Sequence, residues 1–212
     1  MASVKLYIVS TPIGNLNDIT IRAVEVLRGA DLIICENVTH SQNLLKAHQI
    51  KARLTSYNDK SDARMRSKIL QNLEELEGYA CLISDAGTPL ISDPGYKLIA
   101  GASEKNIEVS TIPGPCAAIS ALTLSALPTD RFLFLGFLGN VEKKRRESLQ
   151  ALRKLNLTAI IYETGKGMPT LLNQIAEELP NVTISVSREL TKLYEETVHG
   201  TVDQVRTQLE GV

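Results

Sequence analysis

The sequence predicts an α/β protein of two domains, with a mainly parallel sheet in the first domain and a mixed sheet in the second. Short apolar strand patterns alternate with amphipathic helix patterns along the chain, which is typical of sheets covered by helices. The length of 212 residues suits two domains of roughly 100 residues each. A Pro-Gly-Pro break follows the fifth strand pattern, so we expect the domains at 1–114 and 115–212.

Five strand patterns occupy the first half of the chain and are expected to form one parallel sheet. They cover Lys5–Ser10, Asp31–Glu36, Arg53–Tyr57, Tyr79–Ser84 and Ile107–Ile112. Four helix patterns separate them: one capped by Asp18 and carrying Ala23, Val24 and Leu27, one over Thr39–His48, one over Ala63–Glu77, and one opened by Pro94 that runs to about Lys105.

The second half of the chain repeats the alternation after a helix of small residues and a linker. Strands are predicted over Phe132–Phe137, Leu157–Glu163 and Thr183–Ser187, with an antiparallel strand over Tyr194–His199. Helices are predicted over Cys116–Ala126, Glu142–Lys154, Met168–Leu179 and Val202–Leu209. The antiparallel strand is what predicts a mixed sheet in this domain.

Composition restricts the class of protein. No apolar run reaches the ~18 residues that a membrane span needs, and the N-terminal residues lack a signal-peptide pattern, so we expect a cytoplasmic protein. Cys35 and Cys81 lie in apolar runs and are interpreted as buried hydrophobic residues. The spacing of cysteines and histidines fits no metal site, so no protein-bound metal is expected.

The charge pattern gives little sign of a nucleic-acid-binding surface. A net charge of −1 argues against a protein held on nucleic acid mainly by phosphate neutralisation. The run Lys143-Lys144-Arg145-Arg146 is the candidate for a local basic patch, but we interpret it first as a solvated turn at the start of a helix.

Three loops at predicted strand ends carry unusual residues. They are 11–18 after the first strand, 84–95 after the fourth and 113–118 after the fifth. Open α/β sheets bind ligands at the carboxyl ends of their strands, and glycine and proline let a ligand approach the main chain. The sequence contains neither a dinucleotide fingerprint nor a phosphate-binding loop, so it predicts a ligand cleft without naming the ligand.

Four motifs resemble the ribosomal RNA small subunit methyltransferase I family, which lies within the tetrapyrrole methylase superfamily. The motifs are Thr11-Pro12-Ile13-Gly14-Asn15-Leu16-Asn17-Asp18-Ile19-Thr20, Ser84-Asp85-Ala86-Gly87-Thr88-Pro89-Leu90-Ile91-Ser92-Asp93-Pro94-Gly95, Pro113-Gly114-Pro115-Cys116-Ala117-Ala118 and Arg188-Glu189-Leu190-Thr191-Lys192. The resemblance runs from about residue 5 to residue 200. It implies a two-domain class III methyltransferase, usually a homodimer, with S-adenosylmethionine in the cleft between the domains. It also implies methylation of the ribose 2′-hydroxyl of a cytidine in small-subunit ribosomal RNA, with the RNA or the assembled small subunit as partner.

The resemblance also assigns roles to individual residues. Cofactor contacts are implied for Pro12, Ser84, Asp85, Thr88, Cys116, Ala117, Tyr162 and Leu190, and substrate contacts for Asn15, Asp18, Asp93 and Arg188. Asp85 can accept hydrogen bonds from the ammonium or the ribose of the cofactor. A 2′-hydroxyl must lose its proton, so a base or a polarising cation assists, and the candidates are Glu36, Glu163 and Lys192.

The chain departs from the family pattern on the substrate side. The usual Glu-Asp-Thr-Arg is Glu36-Asn37-Val38-Thr39, the usual His-x-His-Asn is Asn58-Asp59-Lys60-Ser61, and the usual Tyr-Glu-Ser-Pro-His-Arg is Tyr162-Glu163-Thr164-Gly165-Lys166-Gly167. The sequence also ends at Val212, without the C-terminal extension that many members carry. Two alternatives therefore stand beside ribosomal RNA methylation. One is a methyltransferase that acts on a tetrapyrrole, another small molecule or a peptide, and the other is a cofactor-binding protein that has lost catalysis.

Overall fold

The computed structural model describes residues 5–60 and 63–210, and Glu210 by its backbone alone. Ser61 of the predicted substrate-side motif and the outermost residues of both predicted domains lie outside these ranges. The chain divides into two compact units, Met1–Cys116 and Ala117–Val212. Each unit has its own hydrophobic core.

The first unit is built on one five-stranded sheet. Its strands are β1 (Leu6–Val9), β2 (Leu32–Cys35), β3 (Arg53–Ser56), β4 (Ala80–Leu82) and β5 (Val109–Ile112), and its helices are α1 (Ile21–Arg28), α2 (Val38–Ala47), α3 (Ala63–Glu75) and α4 (Tyr96–Glu104). The strand order is β3-β2-β4-β1-β5, and every pairing is parallel. The predicted parallel sheet is therefore confirmed.

Helices cover both faces of this sheet because alternate residues of each strand point to opposite faces. On one face Leu6, Ile34 and Leu82 pack with α3 and α4 in a core that contains Leu73 and Leu98. On the other face Val9, Ile33 and Cys81 pack with α1 and α2 in a core that contains Leu27 and Leu45. Cys35 and Cys81 are buried there, as predicted.

Two predicted helix starts are wrong. Asp18 does not cap α1, because it lies in a short 3-10 helix, Leu16–Asp18, and the cap is Thr20. The Thr20 hydroxyl oxygen accepts a hydrogen bond from the Ala23 backbone N–H at 3.1 Å. Pro94 does not open α4 either, because Gly95 turns the chain with a φ of 135° and the helix begins at Tyr96.

The second unit contains two strand pairs and four helices. Its strands are β6 (Phe132–Phe137), β7 (Thr158–Tyr162), β8 (Thr183–Arg188) and β9 (Glu196–Thr201), and its helices are α5 (Ala117–Leu124), α6 (Glu142–Leu152), α7 (Met168–Glu178) and α8 (Val202–Glu210). The strands β6 and β7 pair in parallel, whereas β8 and β9 pair antiparallel. The antiparallel strand was predicted, and it begins two residues later than expected. The core of this unit lies around Leu149, Leu171 and Val202.

Candidate active site

The carboxyl ends of β1 and β4 form the centre of the candidate site in the first unit. These strands are neighbours, but the chain leaves β1 toward β2 and leaves β4 toward β5, in opposite directions across the sheet. Such a switch in strand order opens a crevice in which α/β proteins bind ligands. Two hydrogen bonds join the loops here, because Thr11 N–H donates to the Gly87 carbonyl at 2.8 Å and Gly87 N–H donates to the Thr11 carbonyl at 3.1 Å.

The loop after β1 continues from this bridge through three predicted site residues. Pro12 is buried beside the bridge. Asn15 is exposed, and its side-chain oxygen accepts from the Asn17 N–H at 3.1 Å, which starts the 3-10 helix. Asp18 is half-buried, and its Oδ2 atom accepts no hydrogen bond from the described residues.

A chain of hydroxyl groups ties this loop to the loops after β4 and β5. The Ser10 Oγ and Thr88 Oγ1 atoms are 3.0 Å apart, and Thr88 Oγ1 donates to the Pro115 carbonyl at 3.0 Å. The buried Ser84 hydroxyl donates to the carbonyls of Ala86 and Gly87, both at 3.3 Å. These bonds fix the shape of all three loops by contacts within the first unit.

Asp85 is held at the same edge by its backbone. His40 Nε2 is 3.0 Å from the Asp85 carbonyl oxygen. Because a carbonyl can only accept, Nε2 carries the proton in this contact. The Asp85 Oδ1 atom is buried and accepts no hydrogen bond from the described residues. This carboxylate oxygen is therefore available to a donor from a ligand.

Three carboxyl groups interact electrostatically at this edge. Burial raises the pKa of Asp93 to about 6, the neighbouring Ser84 hydroxyl opposes that rise, and the charges of Glu36 and Asp85 add to it. Partial burial and the Asp85 charge also raise the pKa of Glu36. The structure thus brings together one predicted base, one predicted cofactor ligand and one predicted substrate contact.

The loop after β3 is organised by Asp59, within the segment where the family motif is absent. One carboxylate oxygen of Asp59 accepts from the Tyr57 hydroxyl at 2.9 Å, and the other accepts from the Gly95 N–H at 3.1 Å. Lys97 Nζ donates to the Asp59 carbonyl at 3.1 Å. The replaced motif therefore connects the loop after β3 to the start of α4.

Four predicted site residues of the second unit line one apolar cavity of about 870 Å³. They are Ala117, Tyr162, Glu163 and Leu190. Ala117 begins α5, and the Tyr162 hydroxyl oxygen accepts from the Ala118 N–H at 3.0 Å. Cys116 is half-buried and is the last residue of the first unit.

The predicted base Glu163 is already paired inside the second unit. Its Oε2 atom accepts from Arg145 Nη1 at 2.9 Å, and both side chains are only 10% exposed. Burial alone would raise the pKa of Glu163, but hydrogen bonds from the Thr164 backbone and Arg145 outweigh burial and lower it. Glu163 is therefore held as a carboxylate.

The basic run at the start of α6 is not a uniform basic patch. Arg145 is buried, and Arg146 forms ion pairs with Glu142, Glu177 and Glu178. Lys143 and Lys144 are exposed. The run does start a helix, as interpreted, but only Lys143 and Lys144 are solvated, because Arg145 and Arg146 take part in the packing of the second unit.

The remaining predicted residues are Arg188, the last residue of β8, and Lys192, in the turn between β8 and β9. Arg188 Nε is 2.5 Å from Glu196 Oε2, which joins the two strands. Lys192 is exposed and forms an ion pair with Glu189 at 3.2 Å. Both residues therefore have carboxylate partners within the second unit.

Ser10, His40 and Arg145 are three organising residues that the motifs do not indicate. Ser10 is the last residue of the predicted first strand, so its place at the sheet edge could have been found. His40 stands three residues after Asn37, the residue that caps α2. Arg145 stands four residues before the buried Leu149, which puts it on the apolar face of α6.

Two general features of the described residues bear on the class of protein. Within the described residues, no helix has both the length and the hydropathy that crossing a bilayer requires. In the same ranges, no group of three or more His, Cys, Asp or Glu side chains is arranged to hold a metal ion.

Comparisons with known proteins agree with the fold and the motifs. The family model of the Tetrapyrrole (Corrin/Porphyrin) Methylases matches residues 5–206. The ribosomal RNA small subunit methyltransferase I of Rickettsia prowazekii is 46% identical over 200 residues, which cover 94% of this chain and 71% of that protein. The protein of the same name from Erythrobacter litoralis is 53% identical over 195 residues, covering 92% of this chain and 69% of that protein.

Solved structures with the same fold have much lower sequence identity. A diphthine synthase has a TM-score of 0.73 at 12% identity, with 97% of this chain and 84% of that chain covered. The uroporphyrin-III C-methyl transferase from Thermus thermophilus, in complex with S-adenyl homocysteine, has a TM-score of 0.65 at 15% identity, with 96% and 91% covered. The predicted fold class and family are confirmed. The chain belongs to the ribosomal RNA small subunit methyltransferase I family of the tetrapyrrole methylases.

Proposed function

We propose that this protein transfers the methyl group of S-adenosylmethionine to the ribose 2′-hydroxyl of a cytidine in small-subunit ribosomal RNA. The observation that carries the proposal is the identity of 46% over 94% of the chain to a protein named for methylating this RNA. The position of the matched loops supports it, because they lie at the switch in strand order where α/β sheets bind ligands.

The loops of the first unit suit the polar groups of the cofactor. The unpartnered Asp85 Oδ1 can accept from its ammonium or from a ribose hydroxyl. Pro12, Ser84 and Thr88 belong to the same loops and are proposed to shape this pocket. The contacts of Cys116, Ala117, Tyr162 and Leu190 with the cofactor remain predictions.

The bound cofactor supplies a methyl group on a sulfonium, which is already a good leaving group. The protein's own residues then have to hold the acceptor in line and receive its proton. A base is most effective when its pKa lies near the working pH. By this criterion Glu36, whose pKa is raised, is a better candidate than Glu163, whose pKa is lowered.

Lys192 is the candidate for a polarising cation, and its exposed ion pair with Glu189 leaves it free to exchange partners. We propose Asn15, Asp18, Asp93 and Arg188 as contacts to the RNA acceptor. The proposed partner is small-subunit ribosomal RNA or the assembled small subunit. The active protein is proposed to be a cytoplasmic homodimer.

The first test is calorimetric titration of the protein with S-adenosylmethionine, with Asp85→Ala and the exposed Asp203→Ala as a matched pair of variants. Micromolar binding corresponds to about −8 kcal/mol. We expect Asp85→Ala to weaken binding and Asp203→Ala to leave it unchanged. Absence of binding to the intact protein, measured alone and with small subunits, would contradict the proposed cofactor.

The second test is transfer of labelled methyl to small ribosomal subunits, followed by mapping of the modified nucleotide. Label on a cytidine 2′-oxygen is the expected result. Label that appears only on a tetrapyrrole or a peptide would favour a different acceptor.

A protein that binds the cofactor without transferring methyl is the remaining alternative, and the replaced motif at 36–39 motivates it. Asn37 now caps α2, since its side-chain oxygen accepts from the His40 N–H at 3.1 Å. If the parent is inactive and the double variant Asn37→Asp with Thr39→Arg gains transfer activity, this alternative is correct. Activity in the parent excludes it.

A further inference from the structure

Ser10 directly follows β1 and lies where the loops after β1, β4 and β5 meet. Ser10 is buried, with 2% of its surface exposed. Its hydroxyl reaches Thr88 in the loop after β4. An added Cβ at Gly114, in the loop after β5, would lie 3.0 Å from the Ser10 Cβ. The main chains of the first and fifth strand ends therefore approach each other closely at this residue.

The direction of the hydrogen bonds follows from the number of protons. A hydroxyl group has one proton to donate and two lone pairs to accept with. The Pro115 carbonyl can only accept, so the single Thr88 proton is committed to it at 3.0 Å. Both bonds can be made only if Ser10 donates to Thr88, and the order is Ser10 to Thr88 to Pro115.

The same order limits what Thr88 can offer to a ligand. Its proton is committed, and one of its lone pairs accepts from Ser10, so one lone pair remains. Thr88 therefore acts on a ligand chiefly through the loop whose Pro115 carbonyl it holds. Pro113 and Pro115 have no backbone N–H, so they cannot donate a substitute hydrogen bond if the bond from Thr88 is lost.

We propose that Ser10 is a positioning residue for cofactor binding. Its hydroxyl orients Thr88, and Thr88 in turn holds the segment 113–116 in the shape that receives the cofactor. The part of this inference that concerns the cofactor rests on the proposed function. The part that concerns the loop stands on the hydrogen bonds alone, so the two parts can be tested separately.

The binding test compares four variants by calorimetric titration with S-adenosylmethionine. Ser10→Ala and Thr88→Val remove the hydroxyls, and Thr88→Ser keeps the one at position 88. Thr207→Val is the matched control, because the Thr207 hydroxyl also donates to a backbone carbonyl, that of Asp203 at 3.0 Å, in the second unit. We expect Kd to rise about tenfold in Ser10→Ala and Thr88→Val, the usual effect of losing a buried hydrogen bond.

Thr207→Val is expected to bind as the parent does, and Thr88→Ser is expected to recover the affinity that Thr88→Val loses, even where Tm falls. The double variant Ser10→Ala with Thr88→Val should bind no more weakly than Thr88→Val alone, because the two hydroxyls act in series. Unchanged Kd in both single variants, with reduced Tm, would show that the hydroxyls serve stability alone and would overturn the proposal.

The Cys116 thiol, next to Pro115, allows the loop to be tested without the cofactor. Cys116 is half-buried, whereas Cys35 and Cys81 are buried, so alkylation by iodoacetamide in the folded protein reports on Cys116. We expect labelling to quicken several-fold in Ser10→Ala and Thr88→Val, to stay unchanged in Thr207→Val, and to return toward the parent rate in Thr88→Ser. If labelling of Cys116 is unchanged in Ser10→Ala and Thr88→Val, the two hydroxyls do not hold the loop in place, and the proposal is overturned. A labelling response in a protein that binds no S-adenosylmethionine supports this role of the hydroxyls and overturns the proposed function instead.

Discussion

Arg145 and Glu163 form a buried ion pair in the second unit, with Nη1 and Oε2 2.9 Å apart. The guanidinium also donates through Nε to Gln174 at 2.9 Å and through Nη1 to the Gly139 carbonyl at 3.1 Å. The pair thus connects the loops that follow β6 and β7. Removing one partner leaves the other charge buried without compensation.

We expect Arg145→Met and Glu163→Gln each to lower the free energy of unfolding by about 3 kcal/mol, the usual cost of breaking a buried ion pair from one side. The double variant should lose less than the sum of the two, because it leaves no unpaired charge. Urea unfolding of the three variants measures these quantities. Additive losses would mean that the two side chains do not interact. Arg131→Met is the control, since its pair with Asp130 is exposed.

The raised pKa of Asp93 gives a pH dependence of opposite sign to that of an ordinary carboxylate. Because its pKa is about 6 in the folded protein and 3.8 ordinarily, the folded state holds the proton more tightly. Its contribution to stability is present below about pH 4 and is lost as the pH rises through 6. We expect Asp93→Asn to be more stable than the parent at pH 7.5 by about 1 kcal/mol, discounted for partial exposure, and equal to it at pH 3.5.

Thermal unfolding between pH 3.5 and 7.5 measures that difference. The exposed Asp130→Asn should give a difference that does not change with pH. If Asp93→Asn were instead less stable than the parent at pH 7.5, the Asp93 carboxylate would be stabilised by a partner rather than destabilised by its surroundings.

The cap of α1 distinguishes the observed helix start from the predicted one. Thr20→Ala removes the acceptor for the Ala23 N–H and should cost about 1 kcal/mol. Asp18→Ala should change the free energy of unfolding by less than about 0.5 kcal/mol, because Asp18 lies outside the helix. Chemical denaturation of both variants decides between the two residues, and a larger effect at Asp18 would restore the predicted cap.

The loop after β5 has little room for a side chain at Gly114. An alanine Cβ there would stand 3.0 Å from the Ser10 Cβ and 3.8 Å from Thr20 Cγ2, so Gly114→Ala should cost about 1–3 kcal/mol. Gly165 has no neighbour within 4 Å of an added Cβ, so Gly165→Ala is the matched control, within about 0.5 kcal/mol of the parent. Equal Tm in the two variants would contradict the close approach at Gly114.

The sequence predicted the sheet of the first unit well, because its strands are short apolar runs that alternate with helices of clear period. It erred at Asp18 and Pro94, where two residues that commonly begin helices stand just outside them. The cap at Thr20 has the same chemistry as the predicted one, so only the path of the backbone could distinguish them.

The site was less predictable than the fold. The matched loops indicated Asp85 and Asp93, which do lie among interacting carboxyl groups. The bonds that shape those loops join residues distant in sequence, such as His40 and Asp85, and no local pattern reveals them. The charge run at 143–146 gave no sign that Arg145 is buried, because Glu163, the partner of Arg145, lies 18 positions away.

The bridge between Thr11 and Gly87 also constrains when the site can form during folding. The two residues are separated by 76 positions, and β2, β3 and their helices lie between them in sequence. Closing so long a segment comes after local contacts have formed. A chain still emerging from the ribosome can therefore acquire α1 and α2 before its first loop has its final shape. The bridge needs β1 and β4 to be paired in register, so a slipped or unfinished sheet lacks the loop arrangement seen at this edge.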